Sequence, residues 1–141
     1  MISADATTAP NAAGWYSGNV TVHFTCADAL SGIPAGTCPA DQVLGTEGTA
    51  VSSTAQTVTD AAGNMSAPSN MVTVKIDKTA PTGVVLTPSG TLGINGWYTS
   101  NVTITTSGTD SLGGTVTCTA PQSLTADSAG TTFNGSCTNE A

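Results

Sequence analysis

The sequence of 141 residues has no arginine, two lysines (Lys75 and Lys78) and a single histidine (His23), and charged residues make up 8% of it. A nucleic-acid partner needs cations that displace phosphate counterions, and a net charge of −7 excludes that class. No apolar run reaches the roughly 18 residues a membrane-spanning helix requires, so no membrane insertion is expected. The opening Met1-Ile2-Ser3-Ala4-Asp5 has neither a basic start nor an apolar stretch. Any export signal is therefore expected outside these residues. Gly-x-Ser-x-Gly is absent, and a Ser–His–acid device would have to use His23, so catalysis is not expected. Cys-x-x-Cys is absent too, which argues against a four-thiolate metal site.

What fills the chain instead is hydroxyl: 27 threonines and 14 serines, with 16 glycines and 7 prolines. Leu, Ile, Val and Phe together number 24, a share of about 17% that borders on disordered compositions, although the net charge is low for that class. Threonine and valine are restricted at χ1 and pack well on a pleated surface. Thin-cored β domains are the expected outcome.

The strongest feature is an internal repeat. Gly14-Trp15-Tyr16-Ser17-Gly18-Asn19-Val20-Thr21-Val22 returns 82 residues later as Gly96-Trp97-Tyr98-Thr99-Ser100-Asn101-Val102-Thr103-Ile104. At the same offset Asp28-Ala29-Leu30-Ser31-Gly32 meets Asp110-Ser111-Leu112-Gly113-Gly114. Thr59-Asp60-Ala61-Ala62 meets Thr138-Asn139-Glu140-Ala141 at offset 79, and Thr8-Ala9-Pro10 meets Thr79-Ala80-Pro81 at offset 71. A period near 80 is one small β domain rather than a solenoid turn. The boundary is placed at Ile76-Asp77-Lys78-Thr79-Ala80-Pro81, giving units 1–77 and 78–141 joined by a short, semi-rigid linker.

Alternation of period two marks strands at Val20, Val22, Phe24 and Cys26, at Val72, Val74 and Ile76, at Val102 and Ile104, and through Thr131, Phe133, Gly135 and Cys137. Only Asn11 to Gly14 separate Thr-Ala-Pro from Trp15, so the first unit is expected to have a short first strand or none. The second repeat ends at the match of Ala62 and so lacks the counterpart of Gly63 to Ile76. A truncated boundary explains this; strand exchange with another copy is the sharper alternative.

These motifs (Gly-Trp-Tyr-x-x-Asn-Val-Thr-Val, the Asp-x-x-Ser-Gly turn, Thr57-Val58-Thr59-Asp60-Ala61-Ala62-Gly63-Asn64 and the closing Ile76-Asp77-Lys78-Thr79-Ala80-Pro81) resemble the tandem bacterial Ig-like repeats of large cell-surface and secreted, adhesin-type proteins. The resemblance implies an all-β chain of two tandem immunoglobulin-like β-sandwich domains, the second without its last strand. It implies a structural or spacer role outside the cell, with neighbouring Ig-like repeats as partners. The alternative is a ligand-binding module for a host or surface glycan or protein receptor.

Candidate sites are few. Four cysteines allow three pairings; keeping each bridge inside one repeat gives Cys26–Cys38 and Cys118–Cys137, in an oxidising compartment. Trp15-Tyr16 and Trp97-Tyr98 are the candidate ligand-facing aromatics, a sugar-stacking platform. Their recurrence at one place in both repeats argues for packing instead. His23 falls on the outward parity. Asp5, Asp28, Asp77 and Asp110 recur near joints and turns, but six to eight oxygens for Ca²⁺ cannot be assembled from them. Asx turns explain Asp28 and Asp110 more simply, so no cofactor is expected; Ca²⁺ bound near the joints and stiffening the array is the alternative.

Overall fold

The computed structural model describes residues 1–141. It is all-β, with eleven strands and one single-turn 3-10 segment, Ile94–Gly96. The chain divides into two compact units, Met1–Lys78 and Thr79–Glu140. Lys78, which the repeat boundary assigns to the second unit, is tied to the first. Its backbone N–H donates to Glu47 Oε1 at 2.6 Å, and its ammonium donates to Asn19 Oδ1 at 2.6 Å and to the Gly45 carbonyl.

The first unit contains β1 (Ile2–Ala6), β2 (Trp15–Tyr16), β3 (Val20–Cys26), β4 (Gln42–Leu44), β5 (Gly48–Ser52) and β6 (Thr73–Ile76). They form two three-stranded sheets, β1-β3-β4 and β2-β6-β5. In the first, β3 runs antiparallel to both neighbours, with Ala4 opposite Phe24 and Val20 opposite Leu44. In the second, β6 is central: antiparallel to β5, and parallel to β2 with Trp15 opposite Lys75. The alternation turns Val20, Val22 and Phe24 inward, where Val74 and Ile76 of β6 meet them in one apolar cluster. Two sheets sharing one core is consistent with a β-sandwich.

The β5–β6 pairing continues beyond the strands themselves. Ser53 N–H donates to the Val72 carbonyl and Ser69 N–H to the Gln56 carbonyl, and a turn at Asp60 to Asn64 closes the hairpin. Asn70 then reaches across to β1. Its Oδ1 accepts from Ala4 N–H at 2.9 Å and its Nδ2 donates to the Ala4 carbonyl at 2.7 Å.

The first strand corrects the sequence reading. β1 is a full strand that precedes Thr8-Ala9-Pro10, whereas the first strand of the second unit follows Thr79-Ala80-Pro81. The two Thr-Ala-Pro motifs are thus not at equivalent places. Ala4 opposite Phe24 corresponds instead to Leu86 opposite Thr106, both pairs shifted by the 82-residue offset that joins the two tryptophans.

The second unit contains β7 (Thr82–Ser89), β8 (Val102–Thr109), β9 (Thr117–Cys118), β10 (Gln122–Leu124) and β11 (Cys137–Thr138). Sheet β7-β8-β10 repeats the order of β1-β3-β4, and Val102 faces Leu124 as Val20 faces Leu44. The small β9-β11 ladder places Cys118 directly opposite Cys137. No counterpart of β2-β6-β5 is present. Residues 125–136 carry no strand, and Tyr98 makes an isolated bridge with Leu92. The alternation through Thr131, Phe133 and Gly135 therefore does not become a strand; only Cys137 and Thr138 do. Alternation describes a face, and a strand exists only where a ladder partner takes up its backbone groups.

Candidate functional site

Gly14 and Gly96 precede the two tryptophans, and both adopt the left-handed backbone region, at φ 81° and 80°. Glycine reaches that region without steric cost, so a left-handed glycine leads into both Trp15-Tyr16 and Trp97-Tyr98, although Asn95 (φ 58°) is left-handed as well and its counterpart Ala13 is not. Their surroundings then diverge. Trp15 is 4% exposed, paired in β2 against β6, with the Lys75 ammonium 4.8 Å from its ring centroid and donating to the Ala13 carbonyl at 2.9 Å. Tyr16 is half-buried, and its hydroxyl donates to the Thr8 carbonyl at 2.8 Å. A ligand-facing role for Trp15 is therefore overturned: β6 covers it. Trp97 is 59% exposed and Tyr98 37%.

Trp97 and Tyr98 stand at the edge of an open cavity of about 780 Å³, lined also by Val102, Ile104, Leu124 and Phe133. Val102, Ile104 and Leu124 hold the register positions that Val20, Val22 and Leu44 hold in the first unit. There, β6 closes the core over them. Here residues 126–131, the stretch that follows β10 as β5 follows β4, also line the cavity. In the middle of β8, Thr106 stands where the first unit has Phe24 and is buried, with no partner for its hydroxyl. The cavity lining combines aliphatic side chains with hydroxyls and Asp127. It suits an apolar or amphipathic occupant.

The acids are committed to turns. Asp28 Oδ2 accepts from the N–H groups of Ser31 at 2.8 Å, Gly32 at 3.0 Å and Leu30 at 3.2 Å. Asp60 accepts from Asn64 N–H at 2.8 Å and Asn64 Nδ2 at 3.0 Å. Asp110 accepts from Gly113 N–H at 2.8 Å, Leu112 N–H at 2.9 Å and Asn139 Nδ2 at 3.1 Å. These donors stabilise the ionised form and hold all three carboxyls below their usual value. The Gly32 amide is the leading cause at Asp28, the Asn64 side chain at Asp60 and the Gly113 amide at Asp110. Asp28 and Asp60 border a smaller cavity of about 210 Å³ in the first unit. Asp5 lies on β1 opposite His23, and Asp77 is buried at the end of β6 with its N–H donating to the Tyr16 carbonyl. No three His, Cys, Asp or Glu residues gather as metal ligands.

His23 is exposed on β3, its Nδ1 2.7 Å from Asp41 Oδ1. Cys26 is bonded to Cys38 and Cys118 to Cys137, the pairs expected from one bridge per repeat. No helix is long and apolar enough to cross a membrane. Two features escaped the sequence reading. The clamp by Asn70 on Ala4 joins residues 66 apart and leaves no local signal. The replacement of Phe24 by Thr106 was open to the 82-residue alignment. Comparison with protein-family models, with curated proteins and with solved structures found no match.

Proposed function

We propose that this chain is a structural segment of tandem immunoglobulin-like units in an extracellular bacterial surface or secreted protein, serving as spacer or stalk. The observation that carries the reading is the repetition itself. One three-stranded order is built twice in succession, β1-β3-β4 and β7-β8-β10, with Val20–Leu44 and Val102–Leu124 in the same register. One disulfide inside each unit adds support, because such bonds persist in oxidising compartments and stabilise domains with thin cores. In the first unit, Trp15-Tyr16 pairs in parallel with β6 on the sheet opposite β1, so the early chain serves both sheets of the sandwich. A surface of hydroxyls with few charges stays hydrated without long-range attraction to other macromolecules.

The reading makes the chain a mechanical element, and pulling it from both ends tests it. Two separate unfolding events are expected. Reduction should lengthen them by the chain hidden behind the bridges, whose separations of 12 and 19 residues correspond to about 40 Å and about 65 Å of extended chain. A single merged event, or bridges whose reduction releases no length, would overturn it.

A further inference from the structure

In the first unit an ammonium already sits on the Gly-Trp step. The Lys75 side chain runs over Gly14-Trp15, with its Nζ 4.8 Å from the indole centroid. A Cβ at Gly14 would lie 3.4 Å from Lys75 Cε and 3.5 Å from Nζ. The Ala13 carbonyl accepts from the same ammonium at 2.9 Å. The second unit repeats the step as Gly96-Trp97, with the glycine again left-handed. Here a Cβ at Gly96 would meet nothing within 4 Å, and Trp97 is 59% exposed. Residues 79–141 contain no lysine, arginine or histidine, so the second unit has no cation of its own to take the place of Lys75. The cavity that Trp97 borders is lined by one charged residue, the exposed Asp127, together with the aliphatic Val102, Ile104 and Leu124.

We propose that this cavity binds a small primary alkylammonium ion, a free amine, with its ammonium on the Trp97 indole. The negative face of an indole attracts a cation, and Lys75 on Trp15 shows that this step accepts one. Asp127 supplies the counter-charge, and the alkyl stem takes the aliphatic part of the lining. An anion is repelled by the carboxylate, and a purely apolar occupant would desolvate that carboxylate without pairing it. A volume of about 780 Å³ is that of a small-molecule site. The net charge of −7 favours the approach of a cation. The proposal goes beyond the spacer reading and does not depend on it.

Titration of the intact chain with n-hexylammonium, followed by NMR, tests the site, because the two indole N–H signals report the two steps separately. The Trp97 signal and the amides of residues 97–98 and 126–131 should shift saturably, and the Trp15 signal should stay in place. The neutral isostere n-hexanol should bind at least about tenfold more weakly, since it loses both the indole and the carboxylate attraction. Trp97→Ala and Asp127→Asn change exposed side chains, and an unmoved Trp15 signal verifies that each variant is folded. Each should weaken n-hexylammonium binding by at least about threefold, read from the amides of residues 126–131. The proposal is overturned if no signal moves at about 20 mM amine, or if n-hexanol binds as well as the amine. It is overturned equally if both variants bind as the parent does, or if a neutral oligosaccharide such as cellotetraose shifts the same signals at lower concentration than the amine.

Discussion

Trp15 and Trp97 share a preceding left-handed glycine and a following tyrosine, yet one is 4% and the other 59% exposed. Trp15→Ala removes an aromatic from a covered site and should cost the first unit about 3–5 kcal/mol in denaturant unfolding. Trp97→Ala should stay within about 0.5 kcal/mol in the same measurement. The sequence repeat argued for packing at both positions, and Trp97 does not follow it. The repeat could not show exposure, because exposure belongs to whatever lies above the ring. The turn acids make a second residue-scale prediction. Backbone and amide donors hold Asp28, Asp60 and Asp110 below the usual carboxylate value of 3.8. A folded-state value below the unfolded one stabilises the fold above about pH 4, and that contribution is lost as the pH falls through the lowered values. Unfolding by denaturant should therefore become easier between pH 5 and pH 2. Asp60→Asn should flatten that dependence for the first unit, and an unchanged pH slope would count against the turn assignment.

Strands in this chain are decided by partners as much as by residue pattern. β3 and β8 carry similar alternation and both find two neighbours, so both form as the pattern indicates. Residues 131–136 alternate as well, find no ladder and remain irregular. β1 was hidden by the Thr-Ala-Pro motif: local motif matching favoured offset 71, while the long-range pairing of Ala4 with Phe24 follows offset 82. Two predictions belong at this scale. Asn70→Ala removes a two-bond clamp on Ala4 and should destabilise the first unit by about 1–2 kcal/mol, read from its unfolding midpoint. Opening either disulfide should cost about 3 kcal/mol through the freed unfolded chain. Val102, Ile104 and Thr106 are the buried side chains of β7 to β11, against nine core residues in the first unit's cluster. The second unit has therefore less packing to absorb that loss, and Cys118→Ser with Cys137→Ser should unfold it at a lower denaturant concentration than Cys26→Ser with Cys38→Ser unfolds the first.

At the scale of the whole molecule, the chain is two units, the first with the larger buried core. Unfolding by denaturant should separate into two transitions, the second unit melting first. Coincident transitions by fluorescence and amide exchange would contradict this division.

The residue order alone determined the β character, the repeat, the inward parity of β3 and β8, the turn acids and the pairing of cysteines. All of these follow from local chemistry or from a simple comparison of the chain with itself. Tertiary structure decided which tryptophan is covered, where the first strand begins, which alternating stretch becomes a strand and where an open groove is left. Each of those depends on a partner segment distant along the chain, and burial and ladder formation are properties of pairs of segments that no single stretch of sequence contains.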